Sequence, residues 1–173
     1  DCTYAENFLH ILGAEKITPL MTRIMDATLV LHGEHTINAS TFTAMVTSST
    51  LANASQVVAS AIGSLSGPLH GGANEKVIAM LQKIETKEEI RPWLDDTLKA
   101  KNVVWGMGHR EYSVKDPRAN ILTEMVQQLF DEREGGVTDI FEKAIELEKA
   151  CEEKLSHKGV YPNVDFYSGI LYK

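Results

Sequence analysis

The sequence is poor in cysteine and has no long hydrophobic run. Its two cysteines, Cys2 and Cys151, are spaced neither like the disulfide framework of a small secreted domain nor like metal ligands. No apolar run approaches the ~20 residues that span a bilayer, and no basic start followed by an apolar segment indicates a signal peptide. We therefore expect a protein of a reducing compartment with no membrane partner. Its expected location is the cytoplasm, although a start at Asp1 rather than Met leaves the mitochondrial matrix open.

Positive charge is also scarce. The chain has 17 Lys and Arg residues against 24 Asp and Glu, which gives a formal net charge of −7 at pH 7. Nucleic-acid binding needs clustered Lys and Arg that displace counterions, so this balance argues against a nucleic-acid partner. A small anionic ligand needs only a local positive pocket and stays compatible with the composition. With 43% hydrophobic residues in a chain of 173, a single folded domain with a real core is expected.

The hydrophobic pattern predicts an all-α fold, because apolar residues recur at helical spacing and no segment alternates with a period of two. The first helix contains Tyr4 and Phe8 and ends near Gly13. Thr18 and Pro19 provide the cap and first residue of a second helix, which runs to about residue 31. Further helices are predicted in 40–66 (two, broken near 52–53), 74–84, 87–101, 118–133, 138–157 and after the turn at 161–165.

Three stretches have distinctive compositions. Segment 40–66 is rich in Ala, Ser, Thr and Val, and such small side chains let helices approach closely, so its two helices are expected in the core or at a subunit interface. Pro92 is expected to open a turn rather than lie within a helix. Residues 103–117 contain glycines and prolines without helical periodicity, which predicts a loop, and loops on a rigid scaffold often carry function.

Two generic motifs are present only in part. His32 and His35, in the sequence HGEH, lie one helical turn apart, which is compatible with a metal but does not match the spacing of metalloprotease helices. Segment 106–111, GMGHRE, begins like a dinucleotide-binding fingerprint but lacks the third glycine and a preceding strand. We therefore predict no metal site and no dinucleotide cofactor.

Three polar sites are more informative. His70 is flanked by glycines and a proline in 67–75, at a helix entrance that disfavours a protonated ring, so it could donate a hydrogen bond to a developing oxyanion or simply cap a tight turn. His109 shares an irregular loop with arginines such as Arg118, which suit carboxylate binding. Asp165 follows a turn with aromatics nearby, where desolvation would raise its pKa and make it a better base, or where it would cap a helix.

These sites occur together in four segments that resemble the signature segments of the citrate synthase family. The segments are His35 with 38–42, then 67–75, 106–118 and 162–169, in order and with compatible spacing along nearly the whole chain. The resemblance implies a multi-helical all-α fold with a large domain, a small domain that closes over the ligands, and a homodimer. Residues 1–71 would belong to the large domain, 72–166 to the small domain, and 167–173 would begin the return to the large domain.

The same resemblance implies an enzyme, an acyltransferase that converts the acyl group into an alkyl group on transfer. Acetyl-CoA would condense with oxaloacetate, and thioester hydrolysis would give citrate and CoA, as in the tricarboxylic acid cycle. Asp165 matches the base that removes a proton from the acetyl methyl group, and His70 matches the residue that stabilises the enol. His109 matches the donor to the keto oxygen of oxaloacetate. Acetyl-CoA is then a substrate, and no tightly bound cofactor is implied.

Binding residues carry over in the same way. His35 and Arg118 match oxaloacetate contacts together with His109, while Asn38 and Ser40 support the site, with the Ser40 hydroxyl placed to orient His70. The CoA contacts are predicted at Val104, Gly106, Met107, Gly108, Lys115 and Lys158. The position of Ser113 is commonly basic in relatives, and Lys115 is expected to substitute for it at a CoA phosphate.

Relatives extend beyond both ends of this chain, and their C-terminal part contributes two further arginines, one from the partner subunit. The 173-residue chain alone is therefore expected to be inactive. One alternative is 2-methylcitrate synthase, which uses the same residues on propionyl-CoA and differs in its acyl pocket. Another is a non-catalytic helical interaction protein, which would not need to keep His70, His109 and Asp165 together.

Overall fold

The computed structural model describes residues 2–33, 36–109, 112–132 and 138–172. Within these ranges the regular structure is helical, and strand-like pairing is limited to an isolated bridge between Met107 and Pro162. The all-α prediction is confirmed. The α-helices are α1 (Tyr4–Ile11), α2 (Pro19–Leu31), α3 (Ala39–Ser49), α4 (Ala54–Leu65), α5 (Ala73–Gln82), α6 (Ile90–Lys99), α7 (Pro117–Asp131), α8 (Asp139–Leu155) and α9 (Val164–Tyr172). Short 3-10 turns, Lys87–Glu89 and Ser156–Lys158, precede α6 and follow α8.

Side-chain hydrogen bonds fix the N-terminal starts of the first two helices, and the start of α2 lies at the predicted Thr18 and Pro19. The Thr3 hydroxyl accepts a hydrogen bond from the Glu6 N–H, and the Glu6 carboxylate accepts one from the Thr3 N–H, which forms a capping box at the start of α1. Thr18 caps α2 by accepting from the Met21 N–H at 3.2 Å, with Pro19 at the first helical position. These bonds satisfy amide groups that have no partner within the helix.

The expectation for Pro92 is wrong. Pro92 is the third residue of α6, which begins at Ile90 directly after the 3-10 turn. The first four N–H groups of a helix have no intrahelical acceptor, so a proline in the first turn removes no helical hydrogen bond. The sequence rule against proline within a helix applies only from the second turn onward.

The main hydrophobic core is built by helices α5 to α9, and α9 lies at its centre, packed against α5 and α7. Fully buried side chains such as Leu81, Leu94 and Leu147 form it, each stabilising the fold by about 1.5–3 kcal/mol. In α9, Val164 and the residues from Phe166 to Ile170 are buried. A smaller core around Ala5, Leu9 and Met25 joins α1 to α2.

Helices α3 and α4 pack against each other and form a hairpin in which no residue is buried. The expectation that these two helices lie in the core of this chain is therefore wrong, and the alternative, a subunit interface, stays a prediction. The hairpin exposes large apolar side chains, which include Phe42, Met45, Val58 and Ile62. Among the described residues, no helix combines the length and apolarity needed to cross a membrane. The domain division at residues 71 and 166 also stays a prediction.

Candidate active site

Asp165 lies in the first turn of α9, half-buried between the buried Val164 and Phe166. Its own N–H donates to Oδ1 of Asn163 at 3.0 Å, so Asn163 caps the helix. The helix-cap alternative for Asp165 is therefore wrong. Its carboxylate is the one acidic side chain in a helix that is otherwise apolar or small and polar, VDFYSGILY.

The electrostatic surroundings of Asp165 define the site. Burial raises the pKa of this carboxyl above its ordinary value, and four basic side chains lie close enough to oppose that shift: His32, Arg118, His70 and His109. They come from the end cap of α2, from α7, from the turn before α5 and from the loop before α7. The structure thus brings together three of the predicted catalytic and binding groups, His70, His109 and Arg118, around the predicted base, from separate segments of the chain.

His70 is held through one ring nitrogen. Its Nε2 lies 2.9 Å from the Ser40 hydroxyl and accepts a hydrogen bond from the Ser40 N–H at 3.2 Å. A backbone N–H can only donate, so Nε2 must be the unprotonated nitrogen and Nδ1 carries the ring proton. The single proton of the Ser40 hydroxyl has two acceptors within reach, His70 Nε2 and the Oδ1 of Asn38, which is the N-cap of α3. The imidazole is therefore anchored thirty residues away in sequence, which excludes a purely local turn cap and leaves Nδ1–H as its donor.

His109 is oriented by its own loop. Its Nδ1 accepts from the Tyr112 N–H at 3.3 Å, and the two rings are 4.6 Å apart. This contact assigns the proton of the neutral ring to Nε2, which makes Nε2 a donor. The loop lies beside the start of α9, because the Gly108 N–H donates to the Tyr161 carbonyl at 2.7 Å. His109 and Asp165 therefore sit on segments that are joined by backbone hydrogen bonds.

Arg118 is fixed by a buried carboxylate. Asp116 accepts from Arg118 Nε at 3.0 Å and from Nη2 at 2.7 Å. Burial alone would raise the pKa of Asp116, but the hydrogen bonds from the Arg118 side chain and backbone outweigh it and hold the pKa below its ordinary value. Asp116 uses one edge of the guanidinium, while Nη1 lies 3.5 Å from the Leu31 carbonyl. The other edge keeps donors suited to a ligand carboxylate.

His32 is the residue that sequence reasoning missed. Its sequence context suggests only half of a metal pair with His35, and His35 itself lies outside the described residues. His32 follows α2 directly, and its Nδ1 lies 2.7 Å from the Thr28 carbonyl, to which it donates. Among the described residues, no group of three or more His, Cys, Asp or Glu is arranged to hold a metal ion. The sequence signal that could have identified His32 is its position at the predicted end of α2, three residues before the predicted oxaloacetate contact His35.

The residues predicted to contact CoA differ in their burial and in their partners. In the loop, Val104 and Gly106 are buried, while Met107 and Gly108 are half-buried. Lys115 pairs with Glu148, which also accepts from the buried Tyr167 hydroxyl. Lys158 is exposed and precedes Gly159, whose Cβ position would lie 3.3 Å from the Cα of Ser113. Lys158 therefore lies near Ser113, whereas Lys115 is held by Glu148.

Comparison with known proteins gives a consistent result. The citrate synthase C-terminal domain family matches residues 1–173. The chain is 51% identical over 170 residues to the citrate synthase of a Synechocystis species, covering 98% of this chain and 42% of the relative. It is 46% identical over 172 residues to that of Acidithiobacillus ferridurans, covering 99% and 45%. The chain thus spans less than half the length of these relatives.

Solved structures agree. The citrate synthase of Pyrobaculum aerophilum superimposes with a TM-score of 0.92 at 35% identity, over 99% of this chain and 42% of that one. The enzyme of Thermoplasma acidophilum, in a ternary complex with carboxymethyl coenzyme A and oxaloacetate, gives a TM-score of 0.90 at 34% identity, over 99% and 45%. Both likenesses extend along nearly the whole of this chain.

Proposed function

Since the chain belongs to the citrate synthase family, we propose that the protein containing it condenses acetyl-CoA with oxaloacetate and hydrolyses the resulting thioester to citrate and CoA. The observation that carries this proposal is the convergence of His70, His109 and Arg118 on the half-buried Asp165. The Thermoplasma relative, solved with a CoA analogue and oxaloacetate, supports these two substrates.

The first step is proton removal from the methyl carbon of acetyl-CoA. Asp165 accepts the proton, and its raised pKa makes it a stronger base than an exposed carboxylate. This carbon acid is very weak, so the negative charge that develops on the thioester oxygen needs a donor. The Nδ1–H of His70 is that donor, because Nε2 is taken by Ser40.

The second step forms the carbon–carbon bond. The enol carbon attacks the keto carbon of oxaloacetate, and His109 donates from Nε2 to the carbonyl oxygen, which becomes the hydroxyl of citryl-CoA. Arg118 pairs through its outer edge with a carboxylate of oxaloacetate while Asp116 holds the inner edge. His35 is proposed as a further oxaloacetate contact. Water then hydrolyses the thioester and releases the CoA thiol.

The whole protein is proposed to be a cytoplasmic homodimer of the tricarboxylic acid cycle. The exposed apolar side chains of the α3–α4 hairpin support the dimer, because large apolar side chains exposed on a helix pair are typical of an interaction surface. Since further oxaloacetate ligands are expected outside these 173 residues, the chain alone is proposed to be inactive. Steady CoA release by the purified 173-residue chain, given both substrates, would refute that part.

The test uses the full-length protein with oxaloacetate and either acetyl-CoA or propionyl-CoA, and it measures both thiol release and the organic acid formed. We expect citrate from acetyl-CoA at the higher kcat/KM. A higher kcat/KM with propionyl-CoA would instead assign a 2-methylcitrate synthase, since one methylene changes selectivity by only ~1–3 kcal/mol. No turnover with either thioester would favour a non-catalytic helical protein.

A further inference from the structure

Asn163 makes an unusual set of contacts for a helix cap. Its backbone N–H donates to the Gly106 carbonyl at 2.9 Å, and its side-chain Nδ2 donates to the Gly108 carbonyl at 2.8 Å. Its side-chain Oδ1 accepts from the Asp165 N–H at 3.0 Å. One half-buried residue therefore binds the loop that leads into His109 and the first turn that carries Asp165.

The loop depends on these contacts for its position. Gly106 and Gly108 both have positive φ, 81° and 87°, and neither has a side chain that could pack to hold the loop. Two backbone bonds, from the Asn163 N–H to the Gly106 carbonyl and from the Gly108 N–H to the Tyr161 carbonyl, form the Met107–Pro162 bridge, and the Asn163 side chain adds the third bond between the loop and this turn. Gly108 directly precedes His109, so a shift of its peptide moves the imidazole.

We infer that Asn163 is a positioning residue, whose amide sets the separation between the base Asp165 and the donor His109. This inference rests on the proposed function. Proton removal and carbon–carbon bond formation occur in one bound complex, and misplacement by about 1 Å can cost roughly 100-fold in rate. Asn163 touches neither proposed substrate atom and acts through the two residues that do.

Only an amide of this length satisfies both bonds. Oδ1 must accept from an N–H, and Nδ2 must donate to a carbonyl, so the two ends of the group are not interchangeable. Serine keeps a cap acceptor but loses the donor to Gly108. Aspartate keeps the cap acceptor, but its second oxygen would face the Gly108 carbonyl, and its charge would lie two residues from Asp165.

The test compares Asn163→Ser and Asn163→Asp in the full-length protein, by kcat, KM and the pH dependence of kcat. For Asn163→Ser we expect kcat to fall roughly 10- to 100-fold. We expect KM for oxaloacetate to rise by a smaller factor than kcat falls, because His109 contacts oxaloacetate but Asp116 holds Arg118 independently of this turn. The exposed Asn7→Ser on α1 is the matched control and should keep the wild-type kcat.

Asn163→Asp adds a second, electrostatic readout. A new negative charge near Asp165 favours its protonated form, so the acid limb of the kcat profile should move to higher pH. The titratable and charged groups that face Asp165 are His32, His70, His109, Arg118 and Tyr172. None of these is altered in the variant, so a moved limb reports the new charge at position 163, while the fall in kcat of Asn163→Ser reports the lost bond to the Gly108 carbonyl.

The outcomes distinguish a failure of the positioning role of Asn163 from a failure of the proposed function. No turnover by the wild type would mean that the proposed function fails. An active wild type, with variants that melt at lower temperature but keep the kcat and the acid limb of the wild type, would overturn the positioning role. Failure of both variants to fold would also overturn it and leave Asn163 a purely structural residue.

Discussion

Gly106 is where the loop before His109 meets the helix of Asp165, and it gives the sharpest prediction for this contact. Its φ of 81° lies in the left-handed region, where a residue with a Cβ costs about 1–2 kcal/mol. A Cβ there would also lie 2.8 Å from Phe166 Cδ2 and 2.9 Å from Val77 Cγ2, well inside ordinary carbon contact. Forcing a methyl group into such a packed site costs about 1–3 kcal/mol. Gly106→Ala should therefore lower the free energy of unfolding by about 2–5 kcal/mol.

Two other glycines distinguish the cost of backbone strain from the cost of the steric contact, because they share the positive φ of Gly106 but not its close neighbours. Among the described residues, a Cβ on Gly108 (φ 87°) would meet only Val160 Cγ1, at 3.9 Å, and one on Gly13 (φ 90°) would have nothing within 4 Å. Alanine at either position should cost only the backbone strain of about 1–2 kcal/mol. Urea unfolding of the three full-length variants measures the difference. Because Phe166 follows Asp165, Gly106→Ala should also reduce kcat. Equal stability losses for Gly106→Ala and Gly108→Ala would refute the collision.

Three further changes test the site. Asp165→Asn should abolish turnover yet raise the free energy of unfolding at pH 7, because the raised pKa of Asp165 means that its ionised form destabilises the folded state. This gain should vanish as pH falls below about 3.9, where the carboxyl is protonated folded and unfolded; urea melts at pH 7 and pH 3 check it. Ser40→Ala should lower kcat about fivefold to tenfold by removing one hydrogen bond to His70, while Ser49→Ala on the same helix should not. Asp116→Asn should raise KM for oxaloacetate about tenfold or more, since a buried carboxylate no longer orients Arg118; an unchanged KM in initial-rate assays would contradict that role.

The sequence predicts the helices well because their signals are local. The end of α1 at Gly13 and the Thr18–Pro19 start of α2 depend on residues within one turn, and the hydrophobic period is a property of each helix alone. The error at Pro92 is also local in origin, since the start of α6 could not be placed to within one turn.

The site is predicted only in part because its contacts are not local. The resemblance points to His70, His109 and Asp165, but the partner that assigns the His70 proton is the backbone N–H of a residue thirty positions earlier. The charge of His32 acts on Asp165 across more than a hundred residues. No period or spacing rule reports such pairs, because they depend on how α2, α7 and α9 pack together.

The central claim is that Asp165 is the base in a condensation of acetyl-CoA with oxaloacetate. The most direct measurement is the rate of CoA release, with citrate identified as the product, by the full-length protein and by its Asp165→Ala and Asp96→Ala variants. Asp96 is exposed on α6 and pairs with Lys99 on the same helix. We predict that wild type and Asp96→Ala release CoA at the same rate and that Asp165→Ala loses at least about 100-fold in kcat. Turnover by Asp165→Ala at the wild-type rate would contradict the account.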